Sequence, residues 1–336
     1  MKKKIVPLLA AIGALFATLS ACSSSSNKDS DQTTTVRIGY MESVNSVGLA
    51  AIAKEAGYFE AQGLTVKLVK FDDGPSVVAA LKSDSIDVGE IGPGAHTQVA
   101  NGTAKLALFD GLSTSDKLIA NKASGITSVS DLKGKKVAVV AGTTSQAILD
   151  AALKKAGMTE KDVTVVSMSI GAITTAMNSG KVDACATWAP GTTQITTKLG
   201  KNAVTLATDS DFTSSMPFAC SWVVTPTFAK KHATTVVKFD KAMFKAMDYR
   251  NRGGKNAAKW IATVLTENEA EIKTEITSTE KLYSSKQVLK MLNNGELAKI
   301  YRQQQKNLIA LGILEDTGDL TNPNDALLTQ LINKAA

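Results

Sequence analysis

Cysteine, histidine and aromatic residues are scarce in this chain of 336 residues, which has three Cys, two His and 5% aromatic residues. His96 and His232 are far apart and lack the spacing of metal ligands, so a histidine-based metal site is not expected. The sequence has no cysteine-rich run that would hold an iron cofactor, and no Ser/His/Asp or paired-carboxylate pattern that indicates catalysis. We therefore expect no metal, no cofactor and no enzymatic activity.

Positive charge is modest and is not concentrated in one place. The formal net charge is +7, and Lys2, Lys3 and Lys4 lie in an N-terminal segment that we expect to be removed. No cluster of Lys and Arg is interleaved with aromatic residues, so nucleic-acid binding is not expected. The roughly 300 residues of the body are enough for a large core and two lobes.

The first 35 residues have the features of an export signal followed by a tether. The three lysines precede an apolar run, Ile5 to Leu19, that is too short to span a bilayer comfortably. Leu19-Ser-Ala-Cys22 resembles a bacterial lipobox, in which the Cys is lipidated; a plain cleaved signal peptide is the alternative. We assign 1–21 to a lipoprotein signal and 22–35 to a disordered polar tether. This predicts an extracytoplasmic protein, anchored to the cell membrane by lipid.

Apolar stretches of strand length alternate with helical patterns over much of the body, which predicts parallel α/β sheets. The order recurs, since Ile86-Asp87 matches Val182-Asp183 at an offset of 96 residues. Internal duplication and the general likeness of two βαβαβ units remain equal alternatives. After Pro226 the pattern is helical, in the segments Phe228–Tyr249, Ala257–Leu265, Ser285–Asn293, Ile300–Leu311 and Ala326–Lys334.

One strand-to-helix turn carries three hydroxyl side chains. The apolar strand pattern of Val137–Val140 breaks at Gly142, and Thr143, Thr144 and Ser145 precede a helical pattern. A helix start has N–H groups without partners and a partial positive charge, so this turn suits an anion. Ordinary capping of the helix by these hydroxyls is the alternative interpretation.

Several short stretches occur in a characteristic order through most of the body: Ala56–Phe59, Phe71–Gly74, Ile86–Gly89, Asp131–Lys136, Thr187–Pro190 and Met216–Val224. In this order they resemble the solute-binding proteins of ABC importers in the nitrate/sulfonate/taurine family, and most of all taurine-binding proteins. The resemblance implies an α/β, two-lobed periplasmic-binding-protein-like fold of type II. Two βαβ-built lobes would be joined by two crossing segments, and the C-terminal part would be helical.

The resemblance also implies where the lobes and the ligand lie. Lobe one would comprise 36–120 and 226–336, and lobe two 121–225, with crossings near Lys117–Ala123 and Ser221–Pro226. A small organic anion would bind between the lobes, outside the carboxyl ends of the strands. The importer's permease would recognise the closed form, and we expect a monomer.

The family's cleft positions can be placed on this sequence. The hydroxyl turn would face a glycine turn in the other lobe, residues after the first strand would lie on the cleft side, and a Trp would stack on the ligand. A plain turn, a core position or a solvent-facing position is the alternative for these residues. The predicted ligand-binding residues are Tyr40, Glu42, Ser43, Gly92, Pro93, Gly94, Thr143, Thr144, Ser145, Trp188 and Cys220.

Cys220 departs from the family pattern. Taurine-binding relatives carry an Asp there, which would pair with the ammonium of taurine, and a thiol cannot offer that charge. Glu42 or Glu90 would then replace the carboxylate, or the ligand lacks an amine. A disulfide between Cys185 and Cys220 is a further hypothesis.

The functional alternatives are a binding protein for a thiamine-precursor pyrimidine or another aromatic nutrient, a pyrimidine-synthase-like enzyme and a sensor docking to a membrane receptor. An aromatic ligand would require several aromatic side chains in the cleft, and the chain has few. The synthase-like enzymes of this fold group use a Cys-rich iron motif, which this sequence does not contain. Nothing in the sequence decides between transport and sensing.

Overall fold

The computed structural model describes residues 34–212 and 216–336. The predicted signal 1–21 and the lipidation site Cys22 lie outside these residues, as does the predicted tether apart from Thr34 and Thr35, which begin the first strand. No helix in the described ranges is both long and apolar enough to cross a membrane.

Strands and helices alternate through the first two thirds of the described chain, and helices dominate the rest. The strands are β1 (Thr34–Met41), β2 (Leu64–Phe71), β3 (Val88–Ile91), β4 (Lys105–Ser113), β5 (Lys117–Asn121), β6 (Lys136–Val139), β7 (Thr164–Ser167), β8 (Ala184–Thr187), β9 (Ala203–Thr208), β10 (Ala219–Val224) and β11 (Glu280–Lys281). The helices are α1 (Val44–Glu55), α2 (Gly74–Lys82), α3 (Thr97–Ala100), α4 (Thr144–Lys155), α5 (Ile170–Asn178), α6 (Gly191–Leu199), α7 (Pro226–Lys231), α8 (Ala233–Asn251), α9 (Ala257–Leu265), α10 (Glu269–Ser278), α11 (Ser285–Asn293), α12 (Glu296–Ala310), α13 (Pro323–Ala326) and α14 (Thr329–Ala335).

The strands form two sheets that repeat one order. The first sheet runs β2-β1-β3-β10-β4-β11 and the second β7-β6-β8-β5-β9. In each sheet the first three strands are parallel, and the fourth, β10 or β5, is antiparallel to both neighbours. The pairs α2/α5 and β3/β8 recur at the predicted offset of 96 residues. This match extends the sequence repeat to whole sheets and favours internal duplication.

Each sheet carries its own core, and we call the sheets with their packed helices lobe one and lobe two. The core of lobe one contains Phe59, Trp222 and Phe239. Lobe two has apolar clusters that include Leu118 and Phe218 in one and Ile119 in the other. The side chains of β5 alternate between these two clusters because successive strand residues point to opposite faces.

The first sheet ends at Ser113 of β4 and the second begins at Lys117 of β5, while the second sheet ends at Thr208 of β9 and the chain is again in the first sheet at Ala219 of β10. The crossings expected near Lys117–Ala123 and Ser221–Pro226 were therefore misplaced. Those residues form most of β5 and β10, whose buried side chains make them inner strands of the two sheets. The boundaries of lobe two remain a proposal. Because β5 begins at Lys117 and β10 belongs to the first sheet, we place both boundaries earlier than the predicted 121 and 225.

Candidate ligand-binding site

A pocket with about 440 Å³ of empty space, open solvent included, lies between the lobes, where strands of both sheets end. Its walls include most of the predicted residues: Ser43, Gly92, Pro93, Gly94, Thr143, Thr144, Trp188 and Cys220. The walls also contain Glu90, one of the two carboxylates suggested as a replacement for the family's Asp, and residues that were not predicted: Met41, Asn45, Ser46, Gly74, Ala95, Ser113 and Asp116. The structure thus brings both predicted turns together, one from each lobe.

Three predicted residues do not line the pocket. Tyr40 is buried in the core of lobe one, and Glu42 is exposed, with its carboxylate 3.2 Å from Lys70 Nζ. Ser145 is fully buried: its hydroxyl accepts from Val140 N at 3.0 Å and donates to Ala186 O at 2.5 Å. This serine therefore fastens the start of α4 to the second sheet.

Three α-helices begin at the pocket wall. Ser43 precedes α1, Gly74 is the first residue of α2, and Thr143 caps α4. The first turn of a helix has backbone N–H groups without intrahelical partners and a partial positive charge. Together the three helix starts make part of the pocket favourable for negative charge.

Thr143 and Thr144 have different roles in the hydroxyl turn. The Thr143 hydroxyl donates to Val140 O at 2.7 Å and accepts from Ser145 N at 3.2 Å, so it serves as a helix cap. Thr144 also lines the pocket, at the first position of α4, and its hydroxyl lies near Gly92 of the opposite lobe. Thr144 is therefore the side chain of this turn whose hydroxyl is placed to reach a ligand.

The two lobes touch at Gly94 and Thr143. A Cβ atom at position 94 would lie 2.5 Å from Thr143 Cα, which is closer than real side chains come. Glycine is needed here for space, because it lets the two backbones approach. The contact shows that the structure is in a closed arrangement of the two lobes.

His96 holds the glycine turn in place. Burial lowers the pKa of His96 to about 4, so its ring is neutral at physiological pH. Its Nδ1–H donates to Gly92 O at 3.0 Å, and its Nε2 accepts from Ser221 Oγ at 3.1 Å. The Tyr301 hydroxyl in turn donates to Ser221 Oγ at 2.7 Å. This chain of bonds connects α12, β10 and the glycine turn, and agrees with the usual role of a lone His as a local partner.

The pocket wall also contains two acidic residues. Glu90 is 1% exposed and Asp116 is 2% exposed. Burial raises the pKa of Glu90 well above its usual value. Burial, followed by the charge of Asp209, does the same to the pKa of Asp116. No Lys, Arg or His is among the described residues that line the pocket.

Asp116 belongs to a small network between the two crossing segments. The Ser113 hydroxyl donates to Asp116 at 2.7 Å and approaches Asp209 at 3.2 Å, and Asp116 N donates to Asp209 at 3.2 Å. Burial raises the pKa of Asp209 to about 7. An acidic group of the pocket is thus bonded directly to the segment by which the chain returns to lobe one.

The cysteines are not paired. Cys185 and Cys220 are both free and buried, and they lie on β8 and β10, in different sheets. The disulfide hypothesis is therefore wrong. Cys220 lines the pocket, and burial together with nearby carboxylates, Glu90 first among them, raises the pKa of its thiol. The neutral thiol supplies no charge to a ligand.

The two tryptophans near the site have separate roles. Trp188 follows β8, is 8% exposed and lines the pocket, so it is placed to contact a ligand. Trp222 is fully buried, and its Nε1–H donates to Asp110 at 2.8 Å. Trp222 is therefore a packing residue.

Comparisons with known proteins agree with this architecture. Residues 44–252 match the family described as NMT1/THI5 like. A protein of Brucella abortus (strain 2308) named as a binding protein is 32% identical over 262 residues, covering 78% of this chain and 81% of its own length. The taurine-binding periplasmic protein of Escherichia coli (strain K12) is 31% identical over 224 residues, covering 64% of this chain and 66% of its own.

A solved structure with the same fold is the alkanesulfonate-binding protein of Xanthomonas axonopodis pv. citri, bound to MOPS. It superimposes with a TM-score of 0.60 at 23% identity and covers 84% of this chain and 98% of its own. The two-lobed α/β architecture with a helical C-terminal part, expected from the sequence, is confirmed.

Proposed function

We propose, because the chain belongs to the NMT1/THI5-like family, that it is the solute-binding protein of an ABC importer for a small organic anion of the sulfonate or taurine type. One observation carries the proposal. Three α-helix starts and the Thr144 hydroxyl meet in a pocket that both lobes close, and no basic side chain is among its described lining residues. Backbone N–H groups and helix dipoles are sufficient to bind a small anion in a dry pocket.

The remaining parts of the proposal concern location and partners. We infer an extracytoplasmic protein that is held to the membrane by lipid on Cys22 and that delivers its ligand, as a monomer, to a permease. The taurine-binding relative is named as periplasmic, which supports an extracytoplasmic location. The lipobox-like residues before Cys22 support the anchor. A catalytic activity is not part of the proposal.

A pyrimidine or other aromatic nutrient is the alternative ligand. Trp188 is the single aromatic residue among the described residues that line the pocket. Pockets for aromatic ligands are usually lined by several apolar and aromatic side chains. The pocket therefore favours the small anion over the aromatic ligand.

A thermal-shift screen of the purified full-length chain tests the ligand class. Its members are taurine, alkanesulfonates, nitrate and thiamine-precursor pyrimidines. A true ligand at ~100-fold excess over its dissociation constant adds about 2.7 kcal/mol to the free energy of unfolding, and so raises the melting temperature. The proposal fails if no anion shifts the melt while a neutral aromatic compound does.

A further inference from the structure

The outer side of α8 carries a stripe of lysines. Lys238, Lys241 and Lys245 follow one another at three- and four-residue spacing, which puts them on one face of the helix. The buried face of the same helix holds Phe239 and Met243 in the core of lobe one. The lysines are half-buried or exposed, and none of them forms a salt bridge within the described ranges. The stripe is therefore a row of positive charge at the surface that no carboxylate neutralises.

The stripe continues onto α11. Asp248, one turn after Lys245, accepts hydrogen bonds from Ser285 N at 2.9 Å and from Ser285 Oγ at 2.7 Å. Ser285 begins α11, the exposed Lys286 follows it, and Lys290 lies one turn later. The lysines of α8 and α11 are thus connected through a carboxylate whose two oxygens both bind Ser285.

α14 extends the same surface. The exposed side chains of Asn293, at the end of α11, and Asn333, in α14, bond each other at 3.1 and 3.0 Å. Lys334 follows Asn333 and is exposed. We call six lysines of these three helices the basic face: Lys238, Lys241, Lys245, Lys286, Lys290 and Lys334. The structure therefore collects positive charge that the sequence spreads over residues 238–334.

Acidic side chains are scarce on these helices. α11 and α14 contain none, and α8 has Asp240, which is fully buried, and Asp248. Glu60 is an exposed acid at the margin, in a short 3-10 helix (Glu60–Gln62) that contacts α8. At physiological ionic strength, exposed charges of one sign attract an opposite surface over about 8 Å. The basic face therefore suits an extended anionic surface.

The N-terminal segment joins the body beside this face. Thr34 is the first described residue, and its N–H donates to Gly63 O at 3.1 Å. A Cβ atom at position 63 would lie 3.7 Å from Lys238 Nζ. Thr34 comes twelve residues after Cys22, and a chain of that length spans at most about 40 Å. Lipid on Cys22 would therefore keep the Lys238 end of the basic face within reach of the bilayer.

We propose that the basic face docks on the anionic lipid bilayer in which Cys22 is anchored. This inference rests on the lipid anchor of the proposed function and adds an electrostatic contact to it. A polybasic patch strengthens a lipid anchor in this way, because each lysine near an anionic surface adds to the attraction. Lobe one is then fixed on the bilayer, and lobe two, which has no part of the basic face, moves when the pocket closes.

Lysine footprinting of the lipidated protein tests the docking surface. The protein is bound to vesicles of phosphatidylcholine, or of phosphatidylcholine and phosphatidylglycerol in equal parts, then acylated with a soluble amine reagent and analysed by mass spectrometry. We expect acylation of the basic face to be at least about threefold slower on the anionic vesicles. The difference should disappear in about 1 M salt, where the screening length falls to about 3 Å. Exposed lysines of lobe two serve as internal controls that react equally on both kinds of vesicle: Lys161, Lys181 and Lys201.

Two triple variants with the same net charge separate the basic face from charge in general. They are Lys238→Gln, Lys241→Gln and Lys245→Gln on α8, and Lys161→Gln, Lys181→Gln and Lys201→Gln on lobe two. The α8 variant should lose the protection of Lys286 and Lys290, and the lobe-two variant should keep it. Melting curves confirm that both variants are folded.

The possible outcomes are distinct. Equal acylation on the two kinds of vesicle, or protection of the lobe-two lysines, overturns the docking surface alone. Protection of the basic face in membranes of the producing cells but not on anionic vesicles assigns the face to a protein partner and overturns it as well. A mass spectrum without acyl groups on Cys22 overturns the anchor of the proposed function, and the docking surface with it.

Discussion

The two lobes share one kind of strand-to-helix connection and differ at one buried position beside it. In each lobe a serine in the first turn of a helix accepts from the end of the preceding strand: Ser46 from Met41 N at 2.8 Å, and Ser145 from Val140 N at 3.0 Å. Ser46 also lowers the pKa of the nearby Glu90 carboxylate, against the larger effect of burial, whereas Ser145 donates to the backbone oxygen of Ala186. Glu90 and Ala186 stand 96 residues apart, at equivalent places in β3 and β8.

The difference concerns the side chain that faces the pocket and leaves the strand-to-helix connection the same. The same strand-to-helix connection occurs beside a carboxylate in lobe one and beside a backbone oxygen in lobe two. Glu90 gives lobe one an acidic wall, while lobe two contributes the hydroxyl turn and Trp188. Lobe one also supplies the starts of α1 and α2, so the lobes differ in the side chains that they contribute to the pocket.

The lobes also differ in whether ion pairs stabilise their interiors. In lobe one, Arg250 is 4% exposed and bonds Asp110 and Glu280. Between residues 117 and 208 of lobe two, all of which are described, no salt bridge occurs. Lobe two therefore depends on apolar packing and hydrogen bonds, and substitutions should affect the two lobes differently.

Arg250→Met tests this contrast with the largest expected effect. It leaves two buried carboxylates without their cation, which should cost about 3–5 kcal/mol of unfolding free energy. Urea unfolding followed by tryptophan fluorescence measures the loss. Lys70→Met removes an exposed ion pair instead and should change stability by less than about 1 kcal/mol. Equal effects of the two substitutions would contradict the contrast.

Gly94→Ala breaks the contact between the lobes. The added methyl group meets the Thr143 backbone, and overpacking of this kind costs about 1–3 kcal/mol. Ligand affinity should fall by a corresponding ten- to hundredfold, since binding requires closure, while the separate lobes stay folded. Gly171→Ala is the matched control, because a Cβ there has no neighbour within 4 Å. Calorimetry on both variants decides whether position 94 limits closure.

Thr144→Val removes a hydroxyl from lobe two without changing its shape. A hydrogen bond to a charged ligand group contributes about 1.5–3 kcal/mol, so affinity for an anionic ligand should fall about tenfold or more. The melting temperature of the empty protein should hardly change. Thr175→Val, at an exposed position of α5, should leave affinity as it was. Unchanged binding in Thr144→Val would remove this turn from the site.

The pH dependence of stability examines the crossing segments. The pKa of Asp209 in the folded chain is about 7, above its ordinary value of 3.8. The folded state therefore holds a proton that the unfolded state releases, and this contribution to stability is lost as pH rises from about 4 to 7. We expect the melting temperature to fall by a few degrees over this range. Subtracting the Asp209→Asn profile isolates this contribution; identical profiles would contradict it.

A reductant should have no effect at all. Because Cys185 and Cys220 are free and lie in different sheets, adding dithiothreitol should leave the melting curve and ligand affinity unchanged. A lower melting temperature in reductant would reveal a covalent connection between the lobes that the structure does not contain.

Helices with a strong apolar face were predictable from the sequence. α9 and α11 have the predicted bounds, and α11 begins with a Ser284–Gln287 capping box. α10 was not predicted, because Ile272 and Glu275 are its buried residues and so give it no apolar stripe. Local pattern therefore identifies a helix only where one face is consistently apolar.

The site was predictable where the chain makes turns, and less so elsewhere. The glycine and hydroxyl turns have local signals, and both line the pocket. Glu90 is a charged residue inside the short buried strand β3, which is itself a usable signal, since such residues are rarely buried without a reason. Asp116 has no local signal, because its place depends on the meeting of two crossing segments.

The equivalence of Glu90 and Ala186 has a consequence for the divergence of such proteins. In lobe two the serine bonds the backbone oxygen of Ala186, so the same strand-to-helix connection forms beside a residue without a side-chain oxygen. We expect a substitution at position 90 to change the chemistry of the pocket while this connection is kept. Related chains would then keep the two lobes and differ in the ligand that they bind.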